Sequence, residues 1–340
     1  MPTASTDQAV TPEITNRLQA GVPPALALLA GMQLDVFTAL ANDRLTVAEI
    51  AGRLSLPEDR LSRLLNALVL TGLLVRDDAH YANSAEAREF LVKGKPAYMF
   101  GSTDLTHQLW SADLHTAQTI KLGKPGAMLD FSSMDQAALT SFLWSLVPYS
   151  LPTGRGFAAT FDFSACKSVI DVGGGAGGVL AGLFETLPQL RGTIFELPNV
   201  ANAVSASAHR EAWFDRIVIE SGNILEAPPS SLHDAAILRS VLQVLSPVEA
   251  GIAIANTYKG LRPGGTIYIT GMGIIDDSRL SPEANVYLDL TLMNLYPEGR
   301  AYTIGEHYAW LDTAGFVEKG QRKLSSGATV IFGRKSAKQT

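Results

Sequence analysis

The stretch VIDVGGGAGGVL, Val169 to Leu180, constrains this chain more than any other. A β-branched run closes on an acid, a glycine-rich turn follows at once, and small apolar residues then start a helix. Gly173, Gly175 and Gly177 let the backbone approach a ligand closely where a side chain would obstruct it. From Lys167 onward the rhythm persists, with SVIDVG, GTIFEL, RIVIESG, AAILRS and TIYITG as short β-branched runs between helical patterns. Strands alternating with helices predict an α/β, doubly wound domain whose parallel sheet is covered on both faces.

At 340 residues the chain exceeds what one hydrophobic core usually holds, ~250–300 residues, so a second domain is expected upstream. Its signal is LTVAEIAGRLSLPEDRLSRLLNALVLTGLLVRDDAHYANS. Thr46 with Glu49 predicts a capping box on a short helix; Pro57 sits near the start of a second, striped by Leu61, Leu64, Leu65 and Leu68 and ended by Gly72. Leu73 to Val75, a polar turn at Asp77 to Ala79, and Tyr81 read as a small hairpin, which completes a helix, turn, helix and wing. Before this unit, Leu26, Leu29, Ala30, Leu34, Phe37 and Leu40 recur at helical spacing and predict one helix from Pro23 to Leu40. After it, a long helical stretch from Pro96 to about Ser150 carries His107, Trp110, His115, Phe142, Trp144 and Tyr149. The expected division is a winged-helix-like domain over 1–110, a helical connector over 111–160 and the sheet domain over 161–340. The first ten and last six residues are expected to be disordered.

Composition narrows the function classes. A hydrophobic fraction of 46% and a charged fraction of 18% are those of a chain that folds without a partner. A net charge of −6 gives the winged unit no basic footprint, and its second helix sets Arg60 and Arg63 beside Glu58 and Asp59, so nucleic acid is not an expected partner. One cysteine, Cys166, forms neither an intrachain disulfide nor a thiolate cluster, which fits a reducing cytoplasm. No signal peptide or membrane span is expected: Met1 to Arg17 is polar, and the apolar run from Ala25 to Leu40 is broken by Gln33 and Asp35. No set of His, Asp and Glu has ligand spacing, so no metal is expected.

Polar groups stand at three consecutive strand ends, where open sheets bind ligands. Asp171 closes the first, Glu196 in TIFELP the second, and Asn223 in ESGNILEAP the third. A carboxylate at Glu196 suits ribose hydroxyls, and the Asn223 amide suits an adenine edge. Together with LRPGG and LDLTLMNLYPEGRAYTIGEHYAWLDTAGF, these segments make nearly the whole chain resemble the plant-caffeate-type O-methyltransferase family, Rossmann-like enzymes that use S-adenosylmethionine. The resemblance implies that Asp171, Gly173 and Gly175 border the methionine part, Glu196 the ribose, and Leu197, Asn223 and Ile224 the adenine, with Arg239 near the cofactor or its carboxylate. It also implies a homodimer intertwined through Pro12 to Leu40, and an acceptor site drawn from His107, Trp110, His115, Trp144, Tyr149, Asn294 and Tyr296. Asn223 replaces the family's usual Asp.

The family's proton-removing unit, a His with two supporting acids, is absent. Gln243 in SVLQVL stands at the His position, and Gly271 and Ala301 stand where the acids would be. An amide takes up no proton at neutral pH, so Gln243 can position an acceptor and cannot act as a base. Phenols, with a pKa of about 10, attack poorly unless deprotonated. A thioether or an unprotonated nitrogen already presents a lone pair, and the aromatics Trp110, Trp144, Tyr149 and Tyr296 could stabilise the cation formed. S- or N-methylation of a small molecule is therefore expected. In length and overall look the chain also resembles a bacterial group that S-methylates 4-methylthio-2-hydroxybutyrate in dimethylsulfoniopropionate synthesis; that acid would need donors such as Arg300, Tyr302, Tyr149 or His115. Three alternatives stand beside this reading: an O-methyltransferase whose base has moved to His107 or His115, a methyltransferase-like enzyme that performs hydroxylation, decarboxylation or a pericyclic step, and a non-catalytic winged-helix regulator.

Overall fold

The chain divides between Thr106 and His107 into two units in the computed structural model, which describes residues 10–95, 98–99, 103–131 and 133–337. Of the segments expected to be disordered, residues 1–9 and 338–340 lie outside the described residues.

The first unit holds α1 (Glu13–Gln33), α2 (Val36–Leu40), β1 (Leu45–Thr46), α3 (Val47–Leu54), α4 (Glu58–Leu70), β2 (Leu74–Asp77), β3 (His80–Asn83) and α5 (Ala85–Phe90). The capping box on α3 forms as expected: the Glu49 N–H donates to Thr46 Oγ1, and the Thr46 N–H donates to Glu49 Oε2. On α4, Leu61, Leu65 and Leu68 are buried against Phe37, Leu40, Ile50 and Leu74. Asn83 is buried and its Nδ2 donates to the carbonyls of Phe37 and Ala41 at 2.8 and 2.9 Å, tying the hairpin to α2. The single helix expected from Pro23 to Leu40 is two helices. Helix α1 begins ten residues earlier, accommodates Pro23 and Pro24, and is separated from α2 by Asp35 in the left-handed region at φ 62°. Leu26 and Leu34, expected on its buried face, are exposed.

Helix α6 (Thr103–Asp113) spans the division, and α7 (Thr116–Leu122), α8 (Gln136–Ser145) and α9 (Val147–Thr160) follow. The long helical stretch expected here is thus several shorter helices, because Gly123 ends α7 in the left-handed region and Pro125 follows. The sheet domain then alternates: β4 (Ser168–Val172), α10 (Gly178–Phe184), β5 (Arg191–Glu196), α11 (Pro198–Ser207), β6 (Ile217–Ser221), β7 (His233–Arg239), α12 (Pro247–Lys259), β8 (Leu261–Thr270), β9 (Ile274–Ile275), α13 (Glu283–Leu295), β10 (Tyr302–Thr303), α14 (Ile304–Ala314), β11 (Phe316–Lys323) and β12 (Thr329–Lys335).

The main sheet has the order β11-β12-β8-β7-β4-β5-β6. Strands β4 to β8 pair in parallel, and the alternation of their side chains feeds two cores: Val169, Ile194 and Ile237 pack with Phe157 and Leu180 on one face, and Ile170, Phe195 and Leu238 with Ile254 and Leu311 on the other. The all-parallel expectation holds for those strands only, since β12 runs antiparallel to β8 and β11 antiparallel to β12. Central β4 lies between β5 and β7, so its carboxyl end is the point where strand order reverses.

Candidate active site

Strand β4 delivers Asp171 to that switch point, buried to 1% exposure. Both carboxylate oxygens are buried without a hydrogen-bond partner. Burial pushes the carboxyl up to about 7, opposed by the Arg239 guanidinium and assisted by Glu196. Arg239, at the end of β7, is itself lowered by burial, with Asp171 offsetting part of the shift, and its Nη2 lies 3.4 Å from the Tyr149 carbonyl on α9. Gly173 and Gly175 turn the chain at φ 71° and 54°, a conformation that strains residues with a Cβ. Glu196, at the end of β5, accepts the Gly175 N–H at 2.9 Å and the Leu197 N–H at 3.2 Å; burial raises its pKa, against those two bonds.

The remaining strand-end residues divide. Leu197 is 41% exposed at the start of α11, an apolar surface at the edge of the glycine loop, while Ile224 is buried among Phe195 and its neighbours. Asn223 does not present a free amide: its Oδ1 accepts the Leu225 N–H and its Nδ2 donates to Glu226, closing a local turn.

Gln243 follows β7 in a short 3-10 turn. Its Oε1 accepts the Gly273 N–H at 3.0 Å, which leaves the NH2 as the edge of the carboxamide without a partner among the described residues. Gly271 has φ 149°, and a Cβ there would lie 3.0 Å from the Ser240 nitrogen and 3.1 Å from Gln243 Oε1, so no acid fits that place with Gln243 as it stands. At Ala301 the backbone N–H donates to Asp289 on α13.

Of the residues expected around the acceptor, Tyr296 lies in an aromatic wall, its ring 6.3 Å from Phe131, which is 5.3 Å from Phe142. Burial pushes the Tyr296 phenol up to about 12, so it stays protonated. The wall sits between two landmarks. Leu143, beside Phe142 on α8, reaches within 3.7 Å of where a Gly175 Cβ would be, and the turn after Tyr296 returns to Gln243 through the Arg300 N–H on the Gln243 carbonyl. Phe131 carries no sequence signal: it stands in a loop, and its ring neighbours come from other parts of the chain. Asn294 is fully buried, its Nδ2 donating to Thr116 Oγ1 while its Oδ1 has no partner. His115, half-buried, begins α7, Trp110 is half-buried on α6, and His107 is exposed. Trp144 is turned to structural packing: its Nε1 donates to Ser207 on α11, and its ring lies 6.2 Å from Trp213 and 6.3 Å from Phe214. The Tyr302 hydroxyl donates to the Leu245 carbonyl, and Arg300 is exposed, so neither is arranged as a carboxylate clamp. Among the described residues no group of three or more His, Cys, Asp or Glu side chains is placed to hold a metal ion, and no helix is long and apolar enough to cross a membrane.

The profile of the O-methyltransferase domain matches residues 130–317, and that of the O-methyltransferase dimerisation domain matches 24–93. The chain belongs to the O-methyltransferase family. It is similar to 3-hydroxy-5-methyl-1-naphthoate 3-O-methyltransferase of Streptomyces sahachiroi, 29% identical over 96% of each chain. It is also similar to the aclacinomycin 10-hydroxylase RdmB of Streptomyces purpurascens, 26% identical over 97% of this chain and 90% of that one, and to the N,N-dimethyltransferase OxyT of Streptomyces rimosus, 26% identical over 86% and 87%. In fold it matches human N-acetylserotonin methyltransferase in complex with S-adenosylmethionine, with a TM-score of 0.81 at 22% identity, covering 98% of this chain and all of that one.

This member of the O-methyltransferase family is thus an S-adenosylmethionine-dependent methyltransferase for small-molecule acceptors. The residues present fit that cofactor. Asp171 offers two unpartnered buried oxygens, the glycine turn offers a cradle a Cβ would strain, and Leu197 offers an apolar surface beside Glu196. The acceptor atoms in the names of the methyltransferases among these relatives are oxygen and nitrogen.

Proposed function

We propose that this enzyme methylates an acceptor atom that brings its own lone pair, a nitrogen or a thioether sulfur, on a small molecule. S-adenosylmethionine supplies an electrophilic methyl group. Asp171 and Arg239 hold its methionine part, Glu196 its ribose, and Leu197 and Ile224 flank its adenine; the locally engaged Asn223 contributes through its turn.

The observation that carries the reading is the Gln243 carboxamide, whose oxygen is taken by the Gly273 N–H. The edge left without a partner there is the NH2, a hydrogen-bond donor, whereas a proton-removing unit needs a lone pair. Gln243 then orients the acceptor, and alignment alone can supply ~7–11 kcal/mol of a barrier. Phe131, Phe142 and Tyr296 suit a flat acceptor and stabilise a cationic product through their ring faces. This wall favours an aromatic or heteroaromatic nitrogen over 4-methylthio-2-hydroxybutyrate, whose carboxylate finds no prepared clamp at Tyr302 or Arg300. His107 and His115 remain the places for a relocated base.

The deciding experiment is a mass-spectrometric transfer assay with methyl-labelled S-adenosylmethionine and a panel of amines, N-heterocycles, thioethers, phenols and hydroxy acids. Label on nitrogen or sulfur is expected. Label on oxygen alone overturns the reading, and cofactor binding without transfer to any acceptor points to chemistry of the hydroxylase kind. Gln243→Ala is expected to raise acceptor KM with little change in pH dependence.

The enzyme is further proposed to act as a homodimer in a cytoplasmic setting, without nucleic acid or membrane partners. Ile14, Leu18, Val22 and Leu26, spaced four apart on α1, are 67%, 61%, 57% and 52% exposed, an apolar stripe that a second copy would cover. Leu18→Glu combined with Val22→Glu is expected to shift the light-scattering mass from dimer to monomer; an unchanged mass would remove the stripe from the interface.

A further inference from the structure

A narrow cleft lies behind Gln243, lined by Ser240, Gln243, Gly271, Gly273 and His307 among others. It exists because position 271 carries no side chain, and its size suits about one water molecule. Its polar side chains are Ser240, Gln243, His307 and Thr270, the last with its hydroxyl donated to the Thr329 carbonyl. His307, in the first turn of α14, is 2% exposed. Its Nδ1 lies 2.8 Å from the Thr303 carbonyl, which can only accept, so Nδ1 carries the hydrogen and Nε2 carries the lone pair. No protein donor meets that Nε2 among the described residues. Burial holds the ring below the usual histidine pKa, hence neutral. Ser240 sits at φ 60°, a conformation uncommon for a residue with a side chain, held by its N–H on the Thr270 carbonyl. Gln243 Oε1, already accepting from Gly273, keeps a second lone pair.

We propose that His307 is a positioning residue for methyl transfer: a water held by its Nε2, the Ser240 hydroxyl and Gln243 Oε1 locks the carboxamide with its N–H edge toward the acceptor. The water donates one hydrogen to His307 and one to Gln243, and accepts from Ser240. A neutral buried imidazole thereby takes the supporting role that two absent carboxylates would otherwise have, with hydrogen-bond direction suited to an amide instead of a base. The proposal rests on the reading that Gln243 orients the acceptor.

The test uses the full-length protein with S-adenosylhomocysteine bound. In 15N-labelled protein the Gln243 side-chain NH2 pair, identified by its loss in Gln243→Ala, is expected as one sharp, slowly exchanging pair, with His307 as the Nδ1–H tautomer. His307→Phe, which fills the cleft and removes the acceptor, is expected to shift or broaden that pair. It should raise acceptor KM about fivefold with kcat and S-adenosylhomocysteine affinity little changed. His307→Gln, which restores an acceptor, should recover most of the effect, and Ser240→Ala should reproduce part of it if the Phe variant fails to fold. Gln243 signals unchanged in folded His307→Phe or, where that variant does not fold, unchanged in Ser240→Ala, overturn the proposal. Because the NMR readout needs no acceptor, failure to find a substrate for the parent reading leaves this test intact.

Discussion

Asp171→Asn is expected to weaken cofactor binding by about 100-fold or more and to remove its dependence on pH. The carboxylate is buried, unpartnered and close enough to Arg239 for each to shift the other. Replacing it by an amide deletes a charge-assisted hydrogen bond, a contribution of about 1.5–3 kcal/mol, and leaves the buried guanidinium without its counter-charge beside the cationic cofactor. The sign of the pH effect follows from the direction of the shift. Asp171 titrates near 7 in the ligand-free fold against an ordinary 3.8, so the unfolded chain gives up this proton at lower pH. Its contribution to stability is therefore fully present below about pH 4 and is lost as pH rises to 7. A cofactor ammonium placed beside the carboxylate favours the ionised form, so affinity should tighten by up to about tenfold per pH unit below 7 and level off above it. Calorimetric titration with S-adenosylhomocysteine at several pH values checks both parts. A Kd within threefold of the parent, or a pH dependence that survives in the Asn variant, would place Asp171 outside the cofactor site.

The contrast between Asp171 and Trp144 shows where sequence reading has force in this protein. Asp171 ends a β-branched run directly before a glycine turn, so its place depends on neighbours in the chain. The capping box of Thr46 and Glu49 and the leucine stripe of α4 are local in the same way, and both form in the structure. Trp144 and Phe142 lie two residues apart on one helix, yet one reaches α11 and the other reaches Phe131 in a loop. Which face of α8 meets which partner is decided by packing far away in the chain, and amphipathic spacing carries no such information: apolar residues stand all round α8, between Gln136, Thr140, Ser141 and Ser145. The antiparallel β11 is hard to read from the sequence for a different reason. Its sequence FVEKGQRK alternates poorly because it is an edge strand with largely solvent-facing residues. Asn223 follows the end of β6 as its sequence suggests, but its own turn engages the amide, a competition between local and ligand bonding that residue type alone does not resolve. His307 stands in the late segment that carries the family resemblance, but nothing in that segment marks it as a site residue. Its interest arises only because the cleft that it lines is bordered by Gly271, which follows β8 and carries no side chain.

The largest loss of stability is expected where α9 crosses α10 through glycine. An added Cβ on Gly154 would lie 2.1 Å from the Val179 carbonyl oxygen, and one on Gly182 would lie 2.3 Å from the Leu151 carbonyl oxygen and 2.8 Å from the Arg155 nitrogen. Each clash is with backbone, so no rotamer change relieves it, and the two helices must separate. That separation opens the core that Phe157, Leu180 and Leu183 fill against β4, and it moves the helix that begins in the glycine turn. Gly182→Ala should therefore cost more than about 3 kcal/mol, the upper end of overpacking effects, and lower Tm by about 6–12 °C for a unit of this size. Cofactor affinity should fall with it, since Gly177 and Gly178 ride on the same helix. Gly52→Ala is the control of opposite sign. That glycine lies inside α3 with nothing within 4 Å of the added Cβ, so the substitution should raise stability by about 0.4–1 kcal/mol by restricting the unfolded chain. Thermal scans of the two variants decide the matter: equal and small effects would mean that the α9–α10 crossing relaxes freely, and that the glycines are not what brings α9 down onto α10.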